Sequence, residues 1–184
     1  MTMQEGVQLF NSMHPNFFEE ADIRNLPDTW IFDEMVLPLD NFEPCKYDRK
    51  LDDSISFGYY QGDIAEIKRA VNKVDPNWPQ YFTETQRIYC GYMGGEIASF
   101  CTIADLGLHH VNGRDVRVGG PGCVGTIPEF RDRGIGLTMV KHVTRILKEE
   151  GYDYSYIHFT SEAAWYEKLG YRTSIRWTGK GIIK

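Results

Sequence analysis

The sequence contains no long hydrophobic run and no surplus of basic residues, and each absence excludes a class of function. No apolar stretch approaches the roughly 18 residues that a membrane-spanning helix needs. The first residues also lack the basic and apolar regions of a secretion signal. The formal net charge of −6 argues against nucleic-acid binding, which relies on clustered Lys and Arg. We therefore expect a cytoplasmic protein with neither membrane nor nucleic-acid partners.

Metal-binding and nucleotide-binding patterns are also missing. The four cysteines, Cys45, Cys90, Cys101 and Cys123, are far apart and form no C-x-x-C pair, so we expect reduced core thiols and no metal. No glycine loop ends in Gly-Lys-Ser/Thr, and the further glycine and acidic residue of a dinucleotide-binding unit are absent. What remains is a chain of 184 residues, 42% of them hydrophobic, which is typical of one globular domain.

Charge is divided unevenly along the chain. Residues 1–53 hold 12 acidic and 4 basic residues, a net charge of −8, whereas residues 54–184 hold 14 acidic and 16 basic residues, a net charge of +2. Two interpretations stay open for the acidic part, a solvated surface or an entrance that attracts a cationic amine. Four prolines predict that residues 1–53 form an irregular extension. Its apolar residues predict that it packs on the core or on a second subunit, so a homodimer is possible.

Hydrophobic spacing predicts a mixed α/β domain over residues 54–184. The predicted strands are 54–60, 87–93, 96–103, 108–111, 114–118, 123–127, 152–159 and 171–177, and the predicted helices are 63–74, 135–150 and a short one around Trp165. Gly94-Gly95 and Asn112-Gly113 predict tight hairpin turns, while the glycines at 119–122 predict an interruption. Strand, helix and strand between residues 123 and 159 require a parallel crossover.

The segment Arg131-Asp132-Arg133-Gly134-Ile135-Gly136 lies where a predicted strand gives way to a predicted helix. The first amides of a helix have no intrahelical partners and carry partial positive charge, so they can hold a diphosphate. A Cβ at Gly134 or Gly136 would keep phosphate oxygens away from these amides. This arrangement of residues indicates a pyrophosphate site.

Residues 128–136 resemble the R/Q-x-x-G-x-G/A acetyl-CoA motif of the GNAT acetyltransferase superfamily. A second segment, Trp165-Tyr166-Glu167-Lys168-Leu169-Gly170-Tyr171, is similar to the family's "lYeklGF" sequence about thirty residues downstream. The resemblance covers about residues 54–177. It implies the GNAT fold, a mixed and mostly antiparallel sheet with a splayed parallel strand pair and flanking helices, preceded here by an N-terminal extension.

The resemblance further implies that acetyl-CoA is the co-substrate and that no metal takes part. By position, Thr126 and Ile127 correspond to the residues that contact the pantetheine arm. The residues that correspond to the diphosphate contacts are Arg131, Asp132, Arg133, Gly134, Ile135 and Gly136.

Two catalytic residues are implied by position in the family pattern. Tyr166 matches the tyrosine that protonates the departing thiolate, and His158 lies near the end of the preceding strand, where some members carry the general base. A structural role is the alternative for each. The sequence does not rank the other candidate bases, which are Glu96, Asp105, His109, His110 and Glu129, and a chain of solvent molecules is a further alternative.

The expected function is therefore N-acetyl transfer to an amine, by direct attack and most simply on a small molecule. Acetylation of a peptide or protein amine is an alternative. A regulatory module that binds acyl-CoA without catalysis is another alternative. These alternatives stay open because a fold alone defines neither the activity nor the acceptor.

Overall fold

The computed structural model describes residues 1–44 and 48–183, so Cys45 lies outside the described residues. This part of the chain holds five α-helices and eight β-strands. The helices are α1 (Met3–Met13), α2 (Ala21–Arg24), α3 (Ile64–Asn72), α4 (Ile135–Glu149) and α5 (Ala163–Tyr166). The strands are β1 (Phe32–Pro38), β2 (Ile55–Tyr59), β3 (Arg87–Met93), β4 (Glu96–Val111), β5 (Arg114–Thr126), β6 (Tyr154–Thr160), β7 (Arg172–Thr178) and β8 (Gly181–Ile182).

The strands form one mixed sheet in the order β2-β3-β4-β5-β6-β1-β7-β8. β5 and β6 are parallel and pair at Val118 with Tyr154 and at Gly119 with Ser155. The pairs β2–β3, β3–β4, β6–β1, β1–β7 and β7–β8 are antiparallel. A mixed sheet with one parallel pair and flanking helices confirms the predicted fold class.

The first of two compact units comprises residues 1–42, 105–119 and 148–184. Helix α1 begins with a capping box, in which the Thr2 hydroxyl accepts from the Glu5 amide and the Glu5 carboxylate accepts from the Thr2 amide. Its buried residues Leu9 and Phe10 belong to two apolar clusters. The first contains Leu9, Val36, Val111, Val116, Val118, Tyr154 and Tyr156, and the second contains Phe10, Phe17, Ile23, Ile175 and Trp177.

The second unit comprises residues 43–104 and 120–147. Its core consists of Ile67, Ala70, Val71, Phe82, Ile88, Cys90, Phe100 and Ile127. The predicted helix at 63–74 is α3, and the Asp63 carboxylate caps it by accepting from the Ala65 amide at 2.8 Å. The predicted helix at 135–150 is α4, whose buried stripe includes Met139, Val143 and Leu147.

The largest difference from the sequence-based expectation lies in residues 1–53. These residues are not irregular throughout, because β1 enters the middle of the sheet and is antiparallel to both β6 and β7. Its five central residues are buried. The strand escaped prediction because Asp33, Glu34 and Pro38 are residue types that strands disfavour and because no alternation remains in a strand buried on both faces.

The glycines at 119–122 do not interrupt the sheet, since β5 continues from Arg114 to Thr126. A Cβ on Gly125 would come within 2.4 Å of the Phe100 ring, so close packing explains that glycine. The predicted hairpin turns are confirmed, because Asn112 and Gly113 have φ values of 50° and 78° and both residues at 94–95 also have positive φ. Within the described residues, every helix is too short or too polar to cross a bilayer.

Candidate functional site

The loop before α4 adopts the left-handed turns that a phosphate cradle needs. Asp132 has φ 63° and Gly134 has φ 82°. The Arg131 amide donates to the Pro128 carbonyl at 3.2 Å and ends the short 3₁₀ helix Pro128–Phe130. Alternating backbone conformations of this kind turn successive N–H groups toward one side, which suits an anion. Arg131, Asp132 and Arg133 are all exposed.

Helix α4 presents unpaired amides at the end of this loop. The amide of Thr138 donates to the Gly134 carbonyl at 3.1 Å, so the amides of residues 135–137 precede the i to i−4 ladder. Ile135 and Gly136 are buried, and the Ile135 side chain lies so close to Gly91 that a Cβ there would come within 2.6 Å of it. Ile135 therefore anchors the start of the helix, while its backbone remains part of the predicted diphosphate site.

The residues predicted to contact pantetheine lie at the end of β5. The Ile127 side chain is buried in the core, its amide donates to the Ala98 carbonyl at 2.9 Å, and its carbonyl accepts from the Phe130 amide at 2.9 Å. Both backbone groups of Ile127 thus have protein partners. Thr126 is only half-buried, its carbonyl accepts from Arg131 Nε at 3.2 Å, and its hydroxyl, 3.2 Å from that of Ser99, can make a further hydrogen bond. Of the two residues, Thr126 is the better placed for a polar contact with a ligand.

Arg49 is a basic residue of this loop that sequence reasoning missed. Its Nη2 donates to the Asp132 carbonyl at 3.1 Å, and a Cβ on Gly134 would come within 2.9 Å of its Cδ. The same segment is held to α4 by an ion pair between Asp48 and Lys141 at 3.1 Å. The loop therefore has a third nearby guanidinium, from a position 83 residues before Asp132 in the chain.

Tyr166 is 7% exposed at the end of α5. Its ring packs edge-on against Trp165 at a centroid distance of 4.8 Å and lies 5.9 Å from the ring of Tyr171. The Tyr171 and Ser155 hydroxyls are 2.7 Å apart. The predicted acid is thus a largely buried tyrosine on the Ser155 side of β6, and its catalytic role stays a prediction.

The predicted base, His158, is hydrogen-bonded to a buried carboxylate. His158 Nδ1 and Glu34 Oε2 are 2.9 Å apart, within hydrogen-bond distance, and the Glu34 side chain is 0% exposed while that of His158 is 37% exposed. Glu34 Oε1 accepts from Trp177 Nε1 at 2.8 Å and from the Phe159 amide at 3.1 Å. Glu34 lies on β1, so a strand absent from the sequence-based prediction supplies the partner of the predicted base.

The backbone next to His158 is strained. Phe159 has φ 56°, a left-handed conformation that costs an ordinary L-residue about 1–2 kcal/mol. The hydrogen bond from its backbone N–H to Glu34 helps to hold this conformation. Stacking of its ring also helps, since the ring centroid lies 4.3 Å from that of Phe32 and 5.0 Å from that of Trp177. Phe159 is nevertheless 40% exposed, and Trp30, which lies against Phe32, is 53% exposed. An exposed aromatic surface therefore borders His158.

Two buried polar atoms beside the Glu34–His158 pair have no hydrogen-bond partner in the described part of the chain. They are His14 Nε2 and the Tyr156 hydroxyl. The His14 ring stacks on His158 at 4.2 Å, and burial, reinforced by His158, lowers the pKa of His14 to about 4. Burial and the nearby Glu34 carboxylate raise the pKa of Tyr156 well above its usual value. His14 and Tyr156 are therefore both neutral near pH 7.

Tyr166 and His158 lie on opposite faces of β6. Side chains alternate along a strand, and Ser155, which contacts Tyr171, is three residues from His158. The His158 ring instead contacts His14 and Phe17. The structure therefore does not bring the predicted acid and base into contact.

The other candidate bases have different surroundings. Both ring nitrogens of His109 have partners at 2.8 Å, the Ser12 hydroxyl and the Leu106 carbonyl. Asp105 pairs with Arg117 at 3.1 Å, which holds the pKa of that carboxyl below its usual value. His110 forms an exposed ion pair with Asp115, and Glu96 and Glu129 are exposed. Among these five candidate bases, neither histidine has both a buried carboxylate partner and a half-exposed ring, as His158 does.

The described cysteines are free thiols. Burial raises the pKa of Cys90 to about 12 and that of Cys123 to about 11, and it raises the pKa of the fully buried Cys101 as well. These thiols are protonated near pH 7 and are poor metal ligands in that form. Across residues 1–44 and 48–183, no group of three or more His, Cys, Asp or Glu side chains is arranged to hold a metal ion.

Comparison with protein families identified a match. A family model described as an acetyltransferase (GNAT) domain matches residues 61–174, which is more than half of the chain. The match includes the α4 loop, Tyr166 and His158, whereas Glu34 and Arg49 lie outside it. A comparison with curated protein sequences gave no match.

Solved structures share the fold at low sequence identity. A GCN5-related glucosamine N-acetyltransferase region of a fungal multi-domain GH3 β-N-acetylglucosaminidase has a TM-score of 0.63 and 20% identity over 82% of this chain and 20% of that one. A GCN5-related N-acetyltransferase from Kribbella flavida has a TM-score of 0.56 and 13% identity over 88% and 62% of the two chains. One from Sphaerobacter thermophilus has a TM-score of 0.58 and 15% identity over 85% and 52%. The chain spans less than two thirds of each of these neighbours.

Proposed function

The chain belongs to the GNAT acetyltransferase family, and from this premise we propose that it transfers the acetyl group of acetyl-CoA to the amine of a small molecule by direct attack. The observation that carries the proposal is the loop at the start of α4. Left-handed turns at Asp132 and Gly134 stand directly before amides that the helix leaves unpaired. Exposed guanidinium groups at Arg131 and Arg133 add mobile positive charge beside them.

Residues 131–136 would hold the diphosphate of the co-substrate, with Arg49 as an additional cation. Thr126 and Ile127 precede this loop at the end of β5, where the pantetheine arm is expected. Thr126 would supply the polar contact, because the backbone groups of Ile127 already bond to Ala98 and Phe130.

The reaction forms a bond between the amine nitrogen and the acetyl carbon and breaks the bond between that carbon and sulfur. An acceptor that arrives as an ammonium ion first loses one proton to solvent, which frees the lone pair of the nitrogen. His158 Nε2 would take the second proton, which the nitrogen loses after attack, and the Tyr166 hydroxyl would give a proton to the departing thiolate. The nitrogen and the sulfur are bonded to the same carbon, so Tyr166 and His158, on opposite faces of β6, cannot both contact them directly. In this scheme Tyr166 acts on the sulfur, and the proton from the nitrogen reaches His158 through a chain of solvent molecules. Each residue then returns to its starting state by exchange with solvent.

We propose an acceptor that combines a cationic amine with an apolar or planar part. The exposed faces of Trp30 and Phe159 border His158, and an ammonium group gains from contact with an aromatic face. Glu19, Glu20 and Asp22 are exposed and closely follow Phe17, whose ring lies 5.6 Å from His158. Their charge would raise the local concentration of a cation.

A free-thiol assay with a panel of amines tests the proposal. The panel should contain arylalkylamines, polyamines and glucosamine, the last because a structural neighbour is named for that acceptor. Each amine is paired with the analogue that carries a hydroxyl in its place, which separates acetyl transfer from hydrolysis of the thioester. We expect thiol release that depends on one class of amine and formation of the corresponding acetamide, detected by mass spectrometry.

Binding and catalysis are measured separately. If acetyl-CoA raises the melting temperature but no amine releases thiol, the chain is a binding module and the proposed transfer is wrong. If millimolar acetyl-CoA leaves the melting temperature unchanged, the co-substrate assignment is itself wrong.

A further inference from the structure

We propose that Glu34 is the positioning residue of the acceptor site, holding His158 in the tautomer that carries its proton on Nδ1, so that Nε2 is free to accept the amine's proton. The inference rests on the proposed acetyl transfer for its catalytic consequence. Its structural part, the tautomer of His158, stands on the geometry of β1, β6 and β7 alone.

The Glu34 carboxylate is fully buried, so it depends on the groups around it. Glu34 is 0% exposed, and its carboxylate lies within hydrogen-bond distance of Trp177 Nε1, the Phe159 amide and His158 Nδ1, with the neutral Tyr156 hydroxyl also beside it. No Lys or Arg is among them. The neighbouring Asp33, by contrast, is paired with Arg176 at 2.9 Å. A buried carboxylate is costly unless hydrogen-bond donors compensate it, so the N–H groups around Glu34, including that of His158, are held toward its oxygens.

The direction of each hydrogen bond to Glu34 defines the tautomer of His158. An ionised carboxylate only accepts, so each of the three contacts must be donated to Glu34. The indole N–H and the backbone N–H occupy Oε1, and the remaining oxygen, Oε2, faces His158 Nδ1 at 2.9 Å. Nδ1 therefore carries hydrogen, and in the neutral ring Nε2 is the acceptor.

The surroundings of His158 support a role in proton transfer. Its titratable neighbours are Glu34 on β1, His14 on α1 and Tyr156 on its own face of β6, with His109 near His14. His14 adds no charge near pH 7, because burial lowers the pKa of its ring to about 4. The His158 side chain is 37% exposed, so the nitrogen that Glu34 does not engage can reach a substrate or solvent.

The variant Glu34→Gln gives a sharp test, because an amide has one oxygen instead of two. The donors Trp177 Nε1 and Phe159 N–H both point at the Oε1 position, so the amide oxygen should occupy it. The amide NH₂ then faces His158 Nδ1 and donates to it. His158 must accept at Nδ1 and carry its proton on Nε2, which inverts the tautomer and blocks the proposed base.

The experiment reads the tautomer by long-range ¹H–¹⁵N NMR of protein labelled on its five histidines, with the His158 signals assigned by their loss in His158→Gln. We expect protonated Nδ1 in the wild type and protonated Nε2 in Glu34→Gln at alkaline pH. With an acceptor, kcat should fall about 10²-fold or more while KM for acetyl-CoA stays unchanged. Glu34→Asp, which keeps the charge, should retain the wild-type tautomer and part of the activity.

Asp33→Asn is the matched control. It removes a buried carboxylate from the adjacent position of the same strand, one that bonds to Arg176 instead of His158. It should lower the melting temperature without changing the tautomer. The double variant Glu34→Gln/His158→Gln should be no slower than His158→Gln alone, because the two residues act as one unit.

Two results would overturn the inference. One is a wild-type His158 protonated on Nε2, and the other is an inverted tautomer in Glu34→Gln with wild-type turnover. Failure of the proposed function looks different. In that case no amine would release thiol in the wild type, and the tautomer measurement, made without substrate, would still decide whether Glu34 positions His158.

Discussion

The replacement Gly134→Ala separates the cost of a strained backbone from the loss of the phosphate cradle. Gly134 has φ 82°, a conformation that costs an alanine about 1–2 kcal/mol. The new Cβ would come within 2.9 Å of Arg49 Cδ and 3.2 Å of Leu51 Cδ2. Arg49 must therefore move, and its exposed hydrogen bond to the Asp132 carbonyl is worth about 1 kcal/mol at most. For a chain of this size each kcal/mol corresponds to about 2–4 °C in Tm, so we expect Tm to fall by roughly 2–12 °C.

Gly151→Ala is the control for this prediction. Gly151 has φ 79°, nearly the same backbone penalty, but a Cβ there meets nothing within 4 Å and the residue lies beyond the other end of α4. Acetyl-CoA at 100 times its Kd should stabilise the wild type and Gly151→Ala by about 2.7 kcal/mol, measured as a Tm rise of roughly 5–11 °C. Gly134→Ala should lose most of this rise. Equal rises in all three proteins would refute the cradle, and a loss in Gly151→Ala would mean that the assay reports stability alone.

Three further changes test the remaining parts of the site. Tyr166→Phe deletes one hydroxyl, so kcat with a true acceptor should fall about 10²-fold while affinity for acetyl-CoA barely changes. Neutralising Glu19, Glu20 and Asp22 together should raise KM for a cationic amine and flatten its dependence on salt, because the Debye length falls from about 10 Å at 0.1 M to about 3 Å at 1 M. His14→Phe keeps an aromatic ring against His158 but removes a group whose pKa burial lowers from 6.5 to about 4. The free energy of unfolding, measured by chemical denaturation, should therefore depend less steeply on pH in this variant.

The sign of the His14 effect follows from proton linkage. Between about pH 4 and 6.5 the unfolded chain binds a proton at His14 that the folded chain does not, so the stability of the wild type rises with pH across this window. The slope is at most about 1.4 kcal/mol per pH unit and is smaller here because the ring is only half-buried. An identical slope in His14→Phe would mean that His14 is not buried as a neutral ring.

Each of the other two predictions can fail clearly. Wild-type turnover in Tyr166→Phe would make that tyrosine a core residue, and Tyr81→Phe, at a tyrosine 52% exposed, is the control for loss of a hydroxyl elsewhere. For the acidic cluster, KM for acetyl-CoA is the internal control. If the triple variant leaves KM for cationic amines and its salt dependence untouched, the cluster is a solvated surface.

The sequence by itself determined the elements that arise from local interactions. Helix α4 and the turn at Gly134 follow from a hydrophobic stripe preceded by glycine. The Asn112-Gly113 turn and the Asp63 cap likewise depend on residues within a few positions of each other. Such features are recorded in short stretches of sequence because their partners are close in the chain.

Tertiary structure alone decided the partners that make His158 and the α4 loop different from isolated motifs. Glu34 contacts His158 from a position 124 residues earlier in the chain. It lies on β1, whose charged residues are untypical of a strand, so the sequence does not predict one there. Arg49 reaches Asp132 from 83 residues away. These pairings depend on where β1 enters the sheet and on how the segment before β2 packs beside α4. The position of β1 and the packing of that segment both depend on how the whole core is buried, and no local sequence pattern predicts either of them.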